Sequence, residues 1–318
     1  MSLLSRISAR RRPRPPVPFV VGVGRSGTTL LRLMLDAHPD LTVPPETSFV
    51  PKLIEAARED GATPERLAEV LVNHRRWGDF SLEIDELEER WHALPQLKPG
   101  PVVRAFFELY AEKQDKPRWG DKTPGYTQHI KQISKVLPEA RFIHLIRDGR
   151  DVVLSRVNTL ALKPVPISKA AKRWKRRLKG ARRQGAKVEH YLELRYEQLV
   201  TEPEATLREI CEFIELPWDP AMLDYHERSE ERLSELDRDI PAKGGRLARS
   251  AKSRLALHER TTKPVDTSSV GKWRSRMSRE DLVEFEEVAG DLLVELGYEP
   301  ATSVRDRAGD GPDASVAG

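Results

Sequence analysis

The segment Gly22-Val23-Gly24-Arg25-Ser26-Gly27-Thr28-Thr29 has the spacing of a phosphate-cradling loop, in which glycines let backbone N–H groups converge on oxygen atoms where a helix begins. Such a loop calls for an anion. Where a nucleoside triphosphatase carries its phosphate-gripping lysine, this chain has Thr28, and the positive charge sits inside the loop as Arg25. That substitution disfavours ATP with magnesium. A second cation, Arg147, ends the apolar run RFIHLI, with Ser155 one or two helical turns beyond it. An arginine at the C-terminal edge of a strand can pair bidentately with a phosphate. The competing reading is a structural ion pair with Asp148 or Asp151.

Elements must bring these groups together. Phe19 to Val23 reads as a buried strand, and Leu30, Leu31, Met34 and Leu35 mark one face of the helix after the loop. Thr123 as N-cap, Pro124 at the first position and Ile130, Ile133 and Leu137 at helical spacing predict a second helix that Pro138 stops. RFIHLI and Tyr191 to Tyr196 read as further strands. Thr201 with Glu204 predicts a capping box before a helix whose buried stripe is Leu207, Ile210, Cys211 and Ile214. Ser278 predicts the cap of a last helix carrying Leu282, Phe285, Ala289, Leu292 and Leu296, with Gly297 past its end. Strands alternating with helices imply an α/β fold with a parallel sheet flanked by helices on both faces, P-loop-like and a single domain.

Residues 1–16, rich in Arg and Pro, and 301–318, rich in Gly, Ala and Asp, are expected to be disordered tails around a domain at 17–300. The segments 51–115 and 164–260 are more charged and are expected to cover the sheet edges and shape an acceptor cleft. One cysteine, Cys211, permits no internal disulfide and is expected in the core. No His/Cys cluster has metal-ligand spacing, and no apolar run reaches membrane-spanning or signal-peptide length, so a metal-free, cytoplasmic protein without a membrane span is expected. A net charge of +4 suits an anionic ligand without deciding it. The basic stretch Lys172 to Arg183 reads as a solvated helix face, since only Trp174 interrupts it and a nucleic-acid platform needs interleaved aromatics. No nucleic-acid partner is expected. Two other functions compete: a P-loop kinase or nucleotide hydrolase, which needs the missing lysine and an acidic magnesium ligand, and a non-catalytic anion-binding module.

Taken in order, GRSGTTLLRLMLDAHPDL, PET, WGDKTP, RFIHLIRDGRDVVLS, LRYEQLV, and KPV before GKW resemble the sulfotransferase family, and most closely its tyrosylprotein branch. The resemblance spans most of residues 17–300. It implies sulfuryl transfer from 3'-phosphoadenosine 5'-phosphosulfate (PAPS) to a hydroxyl-bearing acceptor (glycan, small molecule or tyrosine), without a metal. It assigns Arg25, Ser26, Gly27, Thr28 and Thr29 to the 5'-phosphosulfate, Arg147 and Ser155 to the 3'-phosphate, and Tyr196 to a further donor contact. Lys263 or Lys272 supplies the C-terminal basic contact. Glu46 matches the branch's general base and Lys122 its transition-state lysine, which suits a reaction that strips a hydroxyl proton while negative charge moves between sulfuryl and phosphate oxygens. The chain departs from that branch at Ser48, where an arginine is usual, and at Ala256, which falls on its catalytic serine.

Overall fold

The computed structural model describes residues 14–157, 165–241 and 247–301. The expected tails lie almost wholly outside these residues, although Ala301 still packs in the core. The main sheet has four parallel strands: Asp121–Lys122 at one edge, then Val17–Gly22, Ala140–Ile146 and Tyr191–Arg195. Phe19 pairs with Phe142 and Val20 with Ile143, so alternate residues face opposite sides in step across the strands. Val17, Phe19, Val21 and Phe142 enter one hydrophobic cluster, while Val20, Ile143 and Leu145 enter another. Both faces are therefore covered, as a parallel sheet requires. The register also brings the C-terminal ends together: Val20 lies opposite Lys122, Gly22 opposite Leu145 and Ile146 opposite Arg195. The glycine loop, Arg147 and Tyr196 all leave the sheet at this edge.

The segment 51–115 does not sit at an edge. Its helices Val50–Ala56, Pro64–Val72, Ile84–His92 and Pro99–Lys113 make a layer on one sheet face, where Phe107 stacks on Trp119 and meets Phe19 edge-on. Cys211 is buried in the opposite cluster beside Met222. In helix Ile167–Gly185 the basic stretch behaves as a solvated face: Lys175 pairs with Asp291 at 2.6 Å, and Arg182 with Glu193 at 2.8 Å and Glu295 at 2.7 Å. Trp174 is only 1% exposed, packed near Phe285, and offers no base-stacking surface. Among the described residues no helix is long and apolar enough to cross a membrane.

Two local expectations fail. Thr123 does not cap one continuous helix: a 3-10 turn at Pro124–Gln128 is separated from helix Ile130–Val136 by His129. The Thr123 hydroxyl instead bonds across the chain to the Thr47 N–H. The Thr201–Glu204 capping box does not form, because Thr201 is itself the last residue of helix Tyr196–Thr201 and its hydroxyl donates back to the Glu197 and Gln198 carbonyls. Ser278 does cap helix Arg279–Glu295, accepting from the Asp281 N–H, and Gly297 takes the left-handed conformation beyond it.

Candidate active site

Helix Thr28–Asp36 opens at Gly27, whose φ is 90°, and no side chain caps it. Its first-turn N–H groups are thus presented at the loop, the arrangement that receives anions. A Cβ on Gly27 would lie 2.3 Å from the Tyr196 ring, so both φ and space demand glycine. Arg25 also has a positive φ, 79°, a conformation that costs a non-glycine residue about 1–3 kcal/mol and is retained where the surroundings enforce it. Its side chain is held by Ser155 Oγ, which accepts from Nε at 3.0 Å, and by the Leu257 carbonyl at 3.3 Å. Ser155 thereby meets the same cation as the loop. Thr28 and Ser26 are buried, and Ser26 Oγ has no hydrogen-bond partner among the described residues.

Arg147 is buried, donating to the Arg25 carbonyl at 3.2 Å and the Ser269 carbonyl at 2.7 Å, with its guanidinium carbon 4.4 Å from the centre of the Tyr196 ring. It is no simple ion pair: Asp148 is taken by Arg150 at 2.8 Å, and Asp151 stands 3.9 Å away. Asp151 has another task. Its carboxylate accepts the Gly271 and Trp273 N–H groups at 2.8 and 2.9 Å, which pins the GKW segment over the helix that follows Arg147. Lys272 consequently lines the cleft, whereas the Lys263 side chain is exposed outside it and its carbonyl accepts from Tyr225.

Glu46 and Lys122 come from segments that a buried latch joins. Thr47 Oγ1 meets Asp121 at 2.8 Å and the Tyr126 hydroxyl at 2.7 Å. The latch sets Glu46 Oε1 3.0 Å from Lys122 Nζ, which also lies 3.4 Å from Thr29 Oγ1 on the loop helix. Glu46 Oε2 accepts from Arg76 at 2.6 Å. Burial alone would raise the Glu46 pKa, but Lys122 and Arg76 outweigh it and hold the carboxyl well below the usual range. Burial lowers the Lys122 pKa, with Glu46 opposing and Arg32 reinforcing that effect. Asp121 is the reverse case. Burial dominates its Thr47 and Thr123 hydrogen bonds and pushes it up to about 7. Thr29, Glu46 and Arg76 border one cleft of about 860 Å³ at the C-terminal edge of the sheet, together with Arg25, Arg147, Ser155 and Lys272, and Lys122 meets it through Glu46.

The sequence profile of the sulfotransferase family matches residues 16–220. The chain belongs to the sulfotransferase family. Relatives include protein-tyrosine sulfotransferase 1 of Danio rerio, 28% identical over 90% of this chain and 73% of its own length. Protein-tyrosine sulfotransferase A of Caenorhabditis elegans is 27% identical over 90% and 68%. The sulfotransferase domain of the Synechococcus PCC 7002 olefin synthase superposes with a TM-score of 0.58 at 25% identity, covering 91% of this chain and 97% of that one. The corresponding domain of the curacin biosynthetic pathway, at 20% identity and TM-score 0.55, shares the fold.

Sequence reasoning missed a further part of this sulfotransferase's site, a chain of hydrogen-bonded side chains around the cleft. Asp79, 1% exposed, receives Arg76 Nε at 3.2 Å and both terminal nitrogens of Arg254 at 3.0 and 2.5 Å. Arg254 belongs to helix Ala251–Ala256, and the next residue, Leu257, supplies the carbonyl that holds Arg25. Hydrogen bonds thus run from Thr29 through Lys122, Glu46, Arg76 and Asp79 to Arg254, and the backbone closes the circuit through Leu257, which holds Arg25 of the loop. No local pattern announces it, because the partners lie far apart in sequence. His258 follows directly on this circuit and faces the same cleft. Ser48 and Ala256, the two departures from the tyrosylprotein pattern, also line it.

Proposed function

We propose that this sulfotransferase uses PAPS as donor, with the 5'-phosphosulfate on the Arg25–Thr29 loop and the 3'-phosphate near Arg147 and Ser155. The observation that carries this reading is the convergence of Arg25, Lys122 and Arg147 on an uncapped helix N-terminus, with the Glu46 carboxylate 3.0 Å from Lys122. Tyr196, stacked against Arg147, supplies a flat face for the donor, and Lys272 reaches the cleft as the C-terminal cation.

The acceptor hydroxyl attacks sulfur as the bond from sulfur to the bridging phosphate oxygen breaks; the proton passes to Glu46 and adenosine 3',5'-bisphosphate leaves. Lys122 already spans Glu46 and the loop helix, so it lies where charge accumulates on the bridging oxygen. The acceptor is any hydroxyl the cleft admits beside Glu46: a glycan, a small molecule or a tyrosine. The test is thermal unfolding with adenosine 3',5'-bisphosphate in the presence of a chelator. Occupancy at a hundredfold excess over Kd stabilises the native state by about 2.7 kcal/mol. Stabilisation by magnesium ATP and none by the bisphosphate overturns the donor assignment.

A further inference from the structure

His258 sits between helix Ala251–Ala256 and the 3-10 turn Glu259–Thr262, one residue after the carbonyl that holds Arg25. It lines the cleft with Arg25, Thr29 and Glu46. Among the described residues its ring nitrogens make no hydrogen bond, whereas His38 and His144 are each engaged through a ring nitrogen. The charges acting on it come from every side of the cleft: Lys122 from the edge strand, Glu46 from the segment latched to it, Arg25 from the loop and Arg32 from the loop helix. On its own segment Glu259 and Arg260 border the same space. A ring nitrogen with no partner among the described residues, in the cleft that Arg25 lines and Lys122 reaches through Glu46, is placed to bind the anion these cations receive.

We propose that His258 is a further catalytic residue of the transfer site, donating a hydrogen bond to an oxygen of the transferring sulfuryl group and carrying a second proton only while the donor is bound. The proposal rests on the donor assignment above and extends it to a residue outside the loop. As the chain stands, burial first and Lys122 next hold the imidazole neutral, with its pKa down to about 3. A bound phosphosulfate neutralises Lys122 and Arg25 at close range, Arg32 being already paired with Glu235 at 2.7 Å. The penalty on a charged imidazole then falls, and its proton affinity moves back toward or above the ordinary value of about 6.5. Donor binding must therefore take up a proton at any pH between these values. The imidazolium so formed opposes the negative charge on the sulfuryl oxygens when transfer begins. No bond to His258 forms or breaks; the acceptor proton still goes to Glu46.

The experiment is isothermal titration calorimetry of PAPS into the whole chain without acceptor, in buffers of different ionisation enthalpy, for wild type, H258Q and H258N. The donor's 3'-phosphate itself titrates near pH 6, as phosphate monoesters do, so the difference between wild type and variants carries the result. Wild type should take up more than half a proton beyond H258Q at about pH 6 and roughly none beyond it at about pH 8. Turnover in H258Q should fall by about 10²-fold, the scale for loss of one preorganised donor. Equal proton uptake by wild type and both variants overturns the proposal even where all three bind PAPS tightly. Absence of PAPS binding by wild type overturns the donor assignment and this inference with it. Agreement between H258Q and H258N, with melting temperatures near that of wild type, separates the effect from misfolding.

Discussion

Glu46→Gln is the sharpest perturbation of the transfer step. The carboxylate has one oxygen on Lys122 and the other on Arg76, at 3.0 and 2.6 Å. Glutamine keeps an acceptor for one of these cations but turns an N–H toward the other. The variant therefore loses one charge-assisted hydrogen bond and leaves a donor facing a donor, a cost of about 1–3 kcal/mol in stability. Donor affinity should hold or rise, since an anion that competes for Lys122 is gone. Turnover should fall about 10²- to 10⁴-fold, or roughly 3–5 kcal/mol of transition-state free energy. The loss depends on the acceptor. An alcohol needs a base throughout, whereas an acidic phenol with a pKa near 7 ionises with little help, so the penalty should shrink as acceptor pKa falls. The assay is bisphosphate release from PAPS across a series of substituted phenols and alcohols, with Kd for the bisphosphate measured in parallel. Turnover within threefold of wild type on the least acidic acceptor, with donor affinity unchanged, would refute Glu46 as the base.

Arg76→Ala removes one of the two cations that hold Glu46 ionised, so the acid limb of the pH–rate profile should move upward from below the usual carboxylate range; a limb that stays put dissociates Glu46 from that limb. Arg25→Ala should weaken donor binding whether or not the 3'-phosphate is present, while Arg147→Ala should erase the preference for the 3'-phosphorylated donor over its dephosphorylated form. A wild-type preference ratio in Arg147→Ala removes that role. Asp121 has a folded pKa raised to about 7 against an unfolded value near 4, so its contribution to stability is fully present below about pH 4 and is lost as pH rises through 7. Asp121→Asn keeps an acceptor oxygen for Thr47 and Thr123 and should flatten that slope; denaturant melts at about pH 5 and pH 8 showing equal slopes in both proteins would refute it.

What the sequence disclosed follows from the range over which its signals act. The glycine loop, its strand and its helix are contiguous, so spacing alone placed Arg25 to Thr29, and the register of three strands then delivered Arg147 and Tyr196 to the same edge. Glu46 and Lys122 lie 76 residues apart, and their meeting depends on Thr47 finding Asp121 and Tyr126, a contact no periodicity encodes. The same contact explains the misplaced cap: Thr123 has the right residue type before Pro124, but its hydroxyl is worth more across the latch than at a helix end it could satisfy locally. Thr201 shows the competition in reverse, since back-bonding to Glu197 within its own helix removes it from the cap it was expected to make. Asp79 is the limiting case. It sits in a short turn with no motif, yet at 1% exposure it takes three nitrogens from two arginines and so fixes Arg76 against Glu46 and helix Ala251–Ala256 against Arg25. A buried carboxylate joining two arginines leaves uncompensated charge when it is removed, at about 3–5 kcal/mol for a broken buried pair. Residues that act through such circuits are chosen by the tertiary fold, and they become legible only where the segments they join have already been brought together.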